Sequence, residues 1–169
     1  MKRFLITFIA AFSINAIFAQ ASFNWDPKYF GEIHLGYNTS ASYKGYKTYQ
    51  GAASIGTIQG IKVNQYLSAG IGVDGRMMTH YYKGDGLRWQ AAIYANFRGY
   101  YPLTQDLQPF LNFSIGAGKW IKPEDDVELY VELGPGIQYK NWNLNFGWLS
   151  FGPSDYAKDF FYVKAGFSF

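Results

Sequence analysis

The sequence predicts an all-β protein, an eight-stranded antiparallel up-and-down transmembrane β-barrel with short periplasmic turns and longer outer loops. Three observations lead there. Eight segments alternate apolar and polar residues with period two, each close to the about 9–11 residues that a tilted membrane strand needs. Their connections alternate between short and long, the asymmetry of barrels whose two ends face different compartments. Aromatic residues make up 21% of the 169-residue chain and glycines number 19. Mean hydropathy is nevertheless only −0.16, as expected when lipid-facing and lumen-facing positions interleave.

Residues 1–19 read as a cleaved signal peptide. Lys2 and Arg3 form a basic start, residues 4–14 an apolar stretch, and Ala19 a small residue at the cut, with a cut after Ala21 as the alternative. The apolar stretch is too short for a spanning helix. Cleavage leaves residues 20–169 as a single barrel domain and lowers the formal charge from +3 to +1 with the loss of Lys2 and Arg3. That near-neutral balance gives no support to a nucleic-acid partner. Export together with barrel patterning points to the outer membrane of a Gram-negative bacterium. The chain has no cysteine, so disulfides supply none of its stability.

The first strand is predicted at residues 29–38, with Ile33, Leu35 and Tyr37 outward and Glu32, His34, Gly36 and Asn38 inward. The second, residues 51–62, is the weakest: Ala53, Ile55, Thr57 and Ile61 face out, but Gln59 interrupts that face. In the third, residues 66–76, Leu67, Ala69, Ile71 and Val73 oppose Ser68, Gly70, Gly72, Asp74 and Arg76. The fourth, residues 87–100, sets Trp89, Ala91, Ile93, Ala95 and Phe97 against Arg88, Gln90, Tyr94, Asn96 and Arg98. The fifth, residues 108–119, sets Leu111, Phe113 and Ile115 against Asn112, Ser114 and Gly116. The sixth, residues 127–139, sets Val127, Leu129, Val131 and Leu133 against Glu128, Tyr130, Glu132 and Gly134. Pro135 within it lacks a ladder donor, so a bulge is expected nearby. The seventh, residues 142–151, sets Leu144, Phe146 and Trp148 against Asn143, Asn145 and Gly147. The eighth, residues 160–169, puts Phe161, Val163, Ala165, Phe167 and Phe169 outward, and Phe160, Tyr162, Lys164 and Ser168 inward.

An even strand number puts both chain ends in the periplasm. Tyr29, Tyr66, Tyr100, Tyr139, Trp142 and Phe169 then form a periplasmic aromatic girdle, and Tyr37, Tyr49, Trp120, Trp148 and Phe161 an outer one. The alternative is a water-soluble barrel, with the same apolar face turned inward.

The inward positions gather Glu32, Asp74, Glu128 and Glu132 against Arg76, Arg88, Arg98 and Lys164. A lumen of eight strands is just wide enough for side chains to fill, and charges held there must pair. The set reads as a lumenal ion-pair network, joined by His34 and Gln90, with a gated ion path through the same groups as the alternative. Inward glycines leave room for Tyr94, Tyr130 and Tyr162 to cross the lumen. In the outer loops, Tyr43, Lys44, Tyr46 and Lys47 form one Tyr/Lys cluster and His80, Tyr81, Tyr82 and Lys83 another. These suit lipopolysaccharide, a host surface or a partner protein; the alternative is a solvated loop.

The stretches QGIKVNQYLSAGIGVDGR at 59–76, AAIYANFRGYY at 91–101 and QPFLNFSIGAG at 108–118 resemble small outer-membrane barrel proteins of Bacteroidetes-type bacteria. The eight-strand plan is similar to the OmpA transmembrane domain and to OmpX-type barrels, with no periplasmic domain after Phe169. The resemblance implies that the barrel-assembly machinery recognises the aromatic last strand, through Tyr162, Phe167 and Phe169. It reports architecture and names no activity. Some barrels of this size modify lipid A with His, Ser and an acid near the outer rim. Here His80 falls in a predicted outer loop with Asp85 nearby and Ser154 on the same side, and no nucleophile motif frames them. No catalytic residue, cofactor or metal site is therefore assigned: two histidines on distant segments and no cysteine make a poor metal set.

Overall fold

The alternation carries through to the backbone. In the computed structural model the eight strands are β1 (Lys28–Ser40), β2 (Tyr49–Lys62), β3 (Leu67–His80), β4 (Arg88–Tyr100), β5 (Leu107–Trp120), β6 (Val127–Tyr139), β7 (Trp142–Phe151) and β8 (Lys158–Ser168). The structure describes residues 27–40, 49–80, 88–121, 127–151 and 158–169; the signal-peptide reading of residues 1–19 lies outside them. Each strand pairs antiparallel with its sequence neighbour, and β8 pairs back onto β1, closing the barrel. Phe169, just past β8, exchanges both backbone hydrogen bonds with Gly31 at 2.8 Å. Several strands run past their predicted ends toward the long connections. β1 reaches Ser40 and β3 reaches His80, because a hydrogen-bonded ladder continues where hydropathy no longer alternates.

Register sets the shape. The row of paired residues that leaves β1 at Phe30 passes Gly60, Gly70, Asn96, Ser114, Glu132, Leu149 and Phe160 and returns to β1 at Ser40, ten residues on. That stagger tilts the strands by about 35–45°. At about 3.3 Å per residue, strands of 10–14 residues then rise roughly 25–35 Å along the axis, enough to cross a hydrocarbon core of about 30 Å.

Three sequence expectations need correction. Tyr100 is no girdle residue: its ring points inward against Phe110, 5.5 Å away, as its parity with Arg98 requires, and Tyr101 is the exposed aromatic there. Tyr66 sits in the turn before β3 and not within the strand. No bulge accompanies Pro135. The β6–β7 ladder lapses between Leu133↔Trp148 and Gly136↔Asn145 and resumes in unchanged register. Two facing glycines, Gly134 and Gly147, let the backbones lie too close for a Cβ, so the missing N–H is absorbed without a slip. A register shift lies instead between β2 and β3, at Tyr49/Ala52.

The interior is layered. Ala52, Leu149, Phe151 and Phe160 make an apolar layer toward the long-connection end. Phe30, Ile58, Tyr100 and Phe110 line the short-turn end, where Lys62 Nζ donates to Gln108 Oε1 at 2.9 Å and lies over the Tyr100 ring. Tyr94 and Tyr130 stack at 4.9 Å between the two. The Tyr94 ring occupies the space a side chain at Gly72 would need.

Candidate functional site in the lumen

Period-two strands place i and i+2 on one face, so Glu32 with His34, Asp74 with Arg76, and Tyr130 with Glu132 all point into the lumen. Toward the short turns, Arg98 grips Glu32 with two hydrogen bonds, Nη1 to Oε2 at 2.5 Å and Nη2 to Oε1 at 2.9 Å. Asn143 Nδ2 adds a third at 2.9 Å and Ser168 Oγ a fourth at 3.4 Å. Arg98 Nε also donates to Asn112 Oδ1 at 3.2 Å. β1 and β4 are not neighbours, so this pair crosses the lumen.

The second centre is Asp74. Its Oδ1 receives Tyr94 OH at 2.7 Å and faces His34 Nε2 at 2.8 Å, while its Oδ2 receives Arg76 Nη2 at 3.1 Å and Lys164 Nζ at 3.0 Å. Lys164 reaches on to Glu132 Oε2 at 2.6 Å, which also accepts from Tyr130 OH at 2.5 Å. Asn112 Nδ2 satisfies Glu132 Oε1 at 2.9 Å. Arg76 Nη2 donates to Tyr130 OH at 2.9 Å and its guanidinium lies 4.7 Å from that ring. His34 joins the two centres, with Nδ1 3.4 Å from Glu32 Oε1. This last approach lies within ion-pair distance, but Nδ1 makes no hydrogen bond.

Seven of the expected network residues thus meet: Glu32, His34, Asp74, Arg76, Arg98, Glu132 and Lys164, all nearly or wholly buried. Gln90 touches the edge, accepting from Arg76 Nη1 at 3.5 Å. Glu128 is half-buried on the inner face opposite Gly118. Arg88 begins β4, but its side chain lies outside the described residues. So do Tyr43, Lys44, Tyr46, Lys47, Tyr81, Tyr82 and Lys83, the side chain of His80, and Asp85 and Ser154. Of the last-strand aromatics, Tyr162 is buried and donates to Asn145 Oδ1 at 3.1 Å, whereas Phe167 and Phe169 face out. Phe167 packs edge-on to Trp142 at 5.1 Å.

The amide scaffold escaped the sequence reading. Asn96 donates to Asn112 and Ser114 at 2.7 and 2.9 Å, and Asn112 in turn carries Glu132. Its signal was present as inward parity, but parity does not say which amide meets which carboxylate. Also missed was the apolar layer of Leu149, Phe151 and Phe160, where both faces of a strand are apolar and alternation disappears.

Three carboxylates meet three permanent cations here, each carboxylate oxygen holds at least one donor, and the whole set is shut off from solvent. Such a set braces and fills; it offers no accessible nucleophile or base. Among the described residues no group of three His, Asp or Glu side chains is placed to hold a metal ion.

No protein-family model and no curated protein sequence matches this chain. Solved structures do. Neisserial surface protein A is similar at 14% identity and TM-score 0.60, over 85% of this chain and 97% of that one. The outer membrane enzyme PagL is similar at 7% identity and TM-score 0.58, over 80% of this chain and 98% of that one. The fold is that of the small outer-membrane barrels. The attachment invasion locus protein Ail of Yersinia pestis, at 16% identity and TM-score 0.51, spans 83% of this chain and 98% of its own. At these identities the likeness carries architecture and no activity.

Proposed function

We propose that this protein is an integral outer-membrane barrel of a Gram-negative bacterium whose lumen is closed, and whose role is structural or lies in surface contacts made by its outer loops. One observation carries the reading: burial is inverted. Leu35, Ile93 and Phe161 are 62%, 58% and 61% exposed on the outward face, while Asp74, Arg76 and Glu32 are 0%, 1% and 2% exposed within. In water that arrangement would present apolar surface all round the barrel. In a bilayer it is the stable one. Trp142, Tyr139, Tyr29 and Tyr101 at the short-turn end suit a head-group boundary.

The closed lumen favours this reading over a narrow channel, since an ion would have to displace paired charges and then an apolar layer. Residues 1–19 supply export. Lipid and lipopolysaccharide are its surroundings, and the Tyr/Lys clusters at 43–47 and 80–83 are its candidate surface contacts. The outward Phe167 and Phe169 suit recognition by the barrel-assembly machinery; Tyr162, turned inward, is available to it only before the barrel closes. Purified protein inserted into planar bilayers is expected to stay silent under applied voltage. Stable, ion-selective steps would overturn the closed-lumen reading.

A further inference from the structure

His34 lies between two carboxylates that belong to different strands. In register, His34 of β1 stands beside Gly56 of β2, which stands beside Asp74 of β3. A Cβ at Gly56 would collide with both Asp74 Oδ1 and His34 Nε2. The missing side chain is therefore what allows β1 to reach across β2 and join β3, at 2.8 Å. The other ring nitrogen faces Glu32 Oε1 at 3.4 Å, buried and without a hydrogen bond.

A neutral imidazole has one N–H and one lone pair. Here both nitrogens face carboxylate oxygens, which can only accept when ionised. With Nε2–H given to Asp74, the Nδ1 lone pair confronts the lone pairs of Glu32. A second proton, on Nδ1, turns that confrontation into a hydrogen bond with charge on both partners. The charged groups around His34 can be named strand by strand. β1 brings Glu32; β3 brings Asp74 and its partner Arg76; β8 brings Lys164, 3.0 Å from Asp74; β4 brings Arg98, which holds Glu32, and Tyr94, whose hydroxyl donates to the same Asp74 Oδ1; β6 brings Glu132, which Lys164 also holds. β2 contributes only Gly56, and β7 the uncharged Asn143. Lys164, Arg76 and Arg98 oppose a charge on His34; the two carboxylates at 2.8 and 3.4 Å from its ring nitrogens favour it.

We propose that His34 is a proton-operated clamp on the lumen: unprotonated it holds only Asp74, and protonated it holds Glu32 as well, so that mild acid tightens the barrel. The step takes one proton from water onto Nδ1 and raises the charge of the seven-residue set from 0 to +1. Because the added hydrogen bond exists only in the folded barrel, stability rises as pH falls across the about pH 5–8 span in which histidine changes charge, and is lost as pH rises. The clamp rests on the closed-lumen reading, and separate measurements address the two.

The test uses the full mature protein refolded in detergent micelles, with nitrogen-15 NMR of the imidazoles at pH 8 and pH 5. The chain has two histidines, and a His80→Gln variant assigns the signals. Expected is one protonated nitrogen on His34 at pH 8 and two at pH 5, together with a melting temperature higher at pH 5 by about 2–4 °C. His34→Gln should lose that pH increment. An imidazole still singly protonated at pH 5, or an increment unchanged in His34→Gln, would overturn the clamp. If His34→Gln does not fold, the NMR of the unsubstituted protein decides alone. Bilayer recordings at both pH values keep the readings apart: conductance refutes the closed lumen whatever the imidazole does.

Discussion

At the scale of single residues, Arg98 and Glu32 show what a lumenal charge costs when its partner is removed. Both are buried and bonded twice across the barrel. Arg98→Ala is expected to lower stability by about 3–5 kcal/mol, since Glu32 then stays in the lumen with only Asn143 and Ser168 to hold it. Urea unfolding in lipid vesicles measures this. Adding Glu32→Gln should recover a large part of the loss, because an uncharged amide needs no counter-charge. No recovery would mean that Arg98 acts through its packing over Phe110, 5.0 Å away.

Among the elements, the β6–β7 hairpin carries a local strain. Lys140 opens its two-residue turn with φ 53°, the positive-φ residue among the described non-glycines. Hairpins favour such mirror-image turns because their twist matches the strands, but a side chain there is strained. Lys140→Gly should stabilise the barrel by about 1 kcal/mol, read as a higher midpoint in the same unfolding experiment; a lower midpoint would show that its exposed contact with Tyr139 matters more. Turn residues were legible in the sequence as a short polar break, whereas the sign of φ was not. Pro135 makes the complementary case. Proline predicts a missing donor, yet whether a strand answers with a bulge depends on its neighbour, and here Gly147 lies close enough to keep the register.

For the molecule as a whole, the inverted burial predicts a depth dependence. Ile93 stands midway along β4 and faces out; Ile93→Arg should destabilise the bilayer-inserted barrel by about 2–4 kcal/mol, but Tyr139→Arg at the short-turn end by no more than about 1 kcal/mol. Unfolding of both variants from vesicles compares them directly. Equal costs at the two depths would argue against a hydrocarbon surround. Strand number, the facing along each strand and the alternation of short and long connections were readable beforehand, because each follows from a period of two and from which residues tolerate lipid; the strand ends were not, and β1 and β3 run on to Ser40 and His80. The centre of the candidate site was readable as a set of inward charges, and the wiring was not.

The chain's own order of residues determined which side chains turn inward and that their charges balance, since both depend only on parity along each strand. The ten-residue stagger around the barrel decided the rest. It brought Arg98 to Glu32 and Lys164 to both Asp74 and Glu132 across strands that are not neighbours, and it set Gly56 between His34 and Asp74. Partners 32 to 90 positions apart meet only once the sheet closes at a particular shear, and no local pattern encodes that closure.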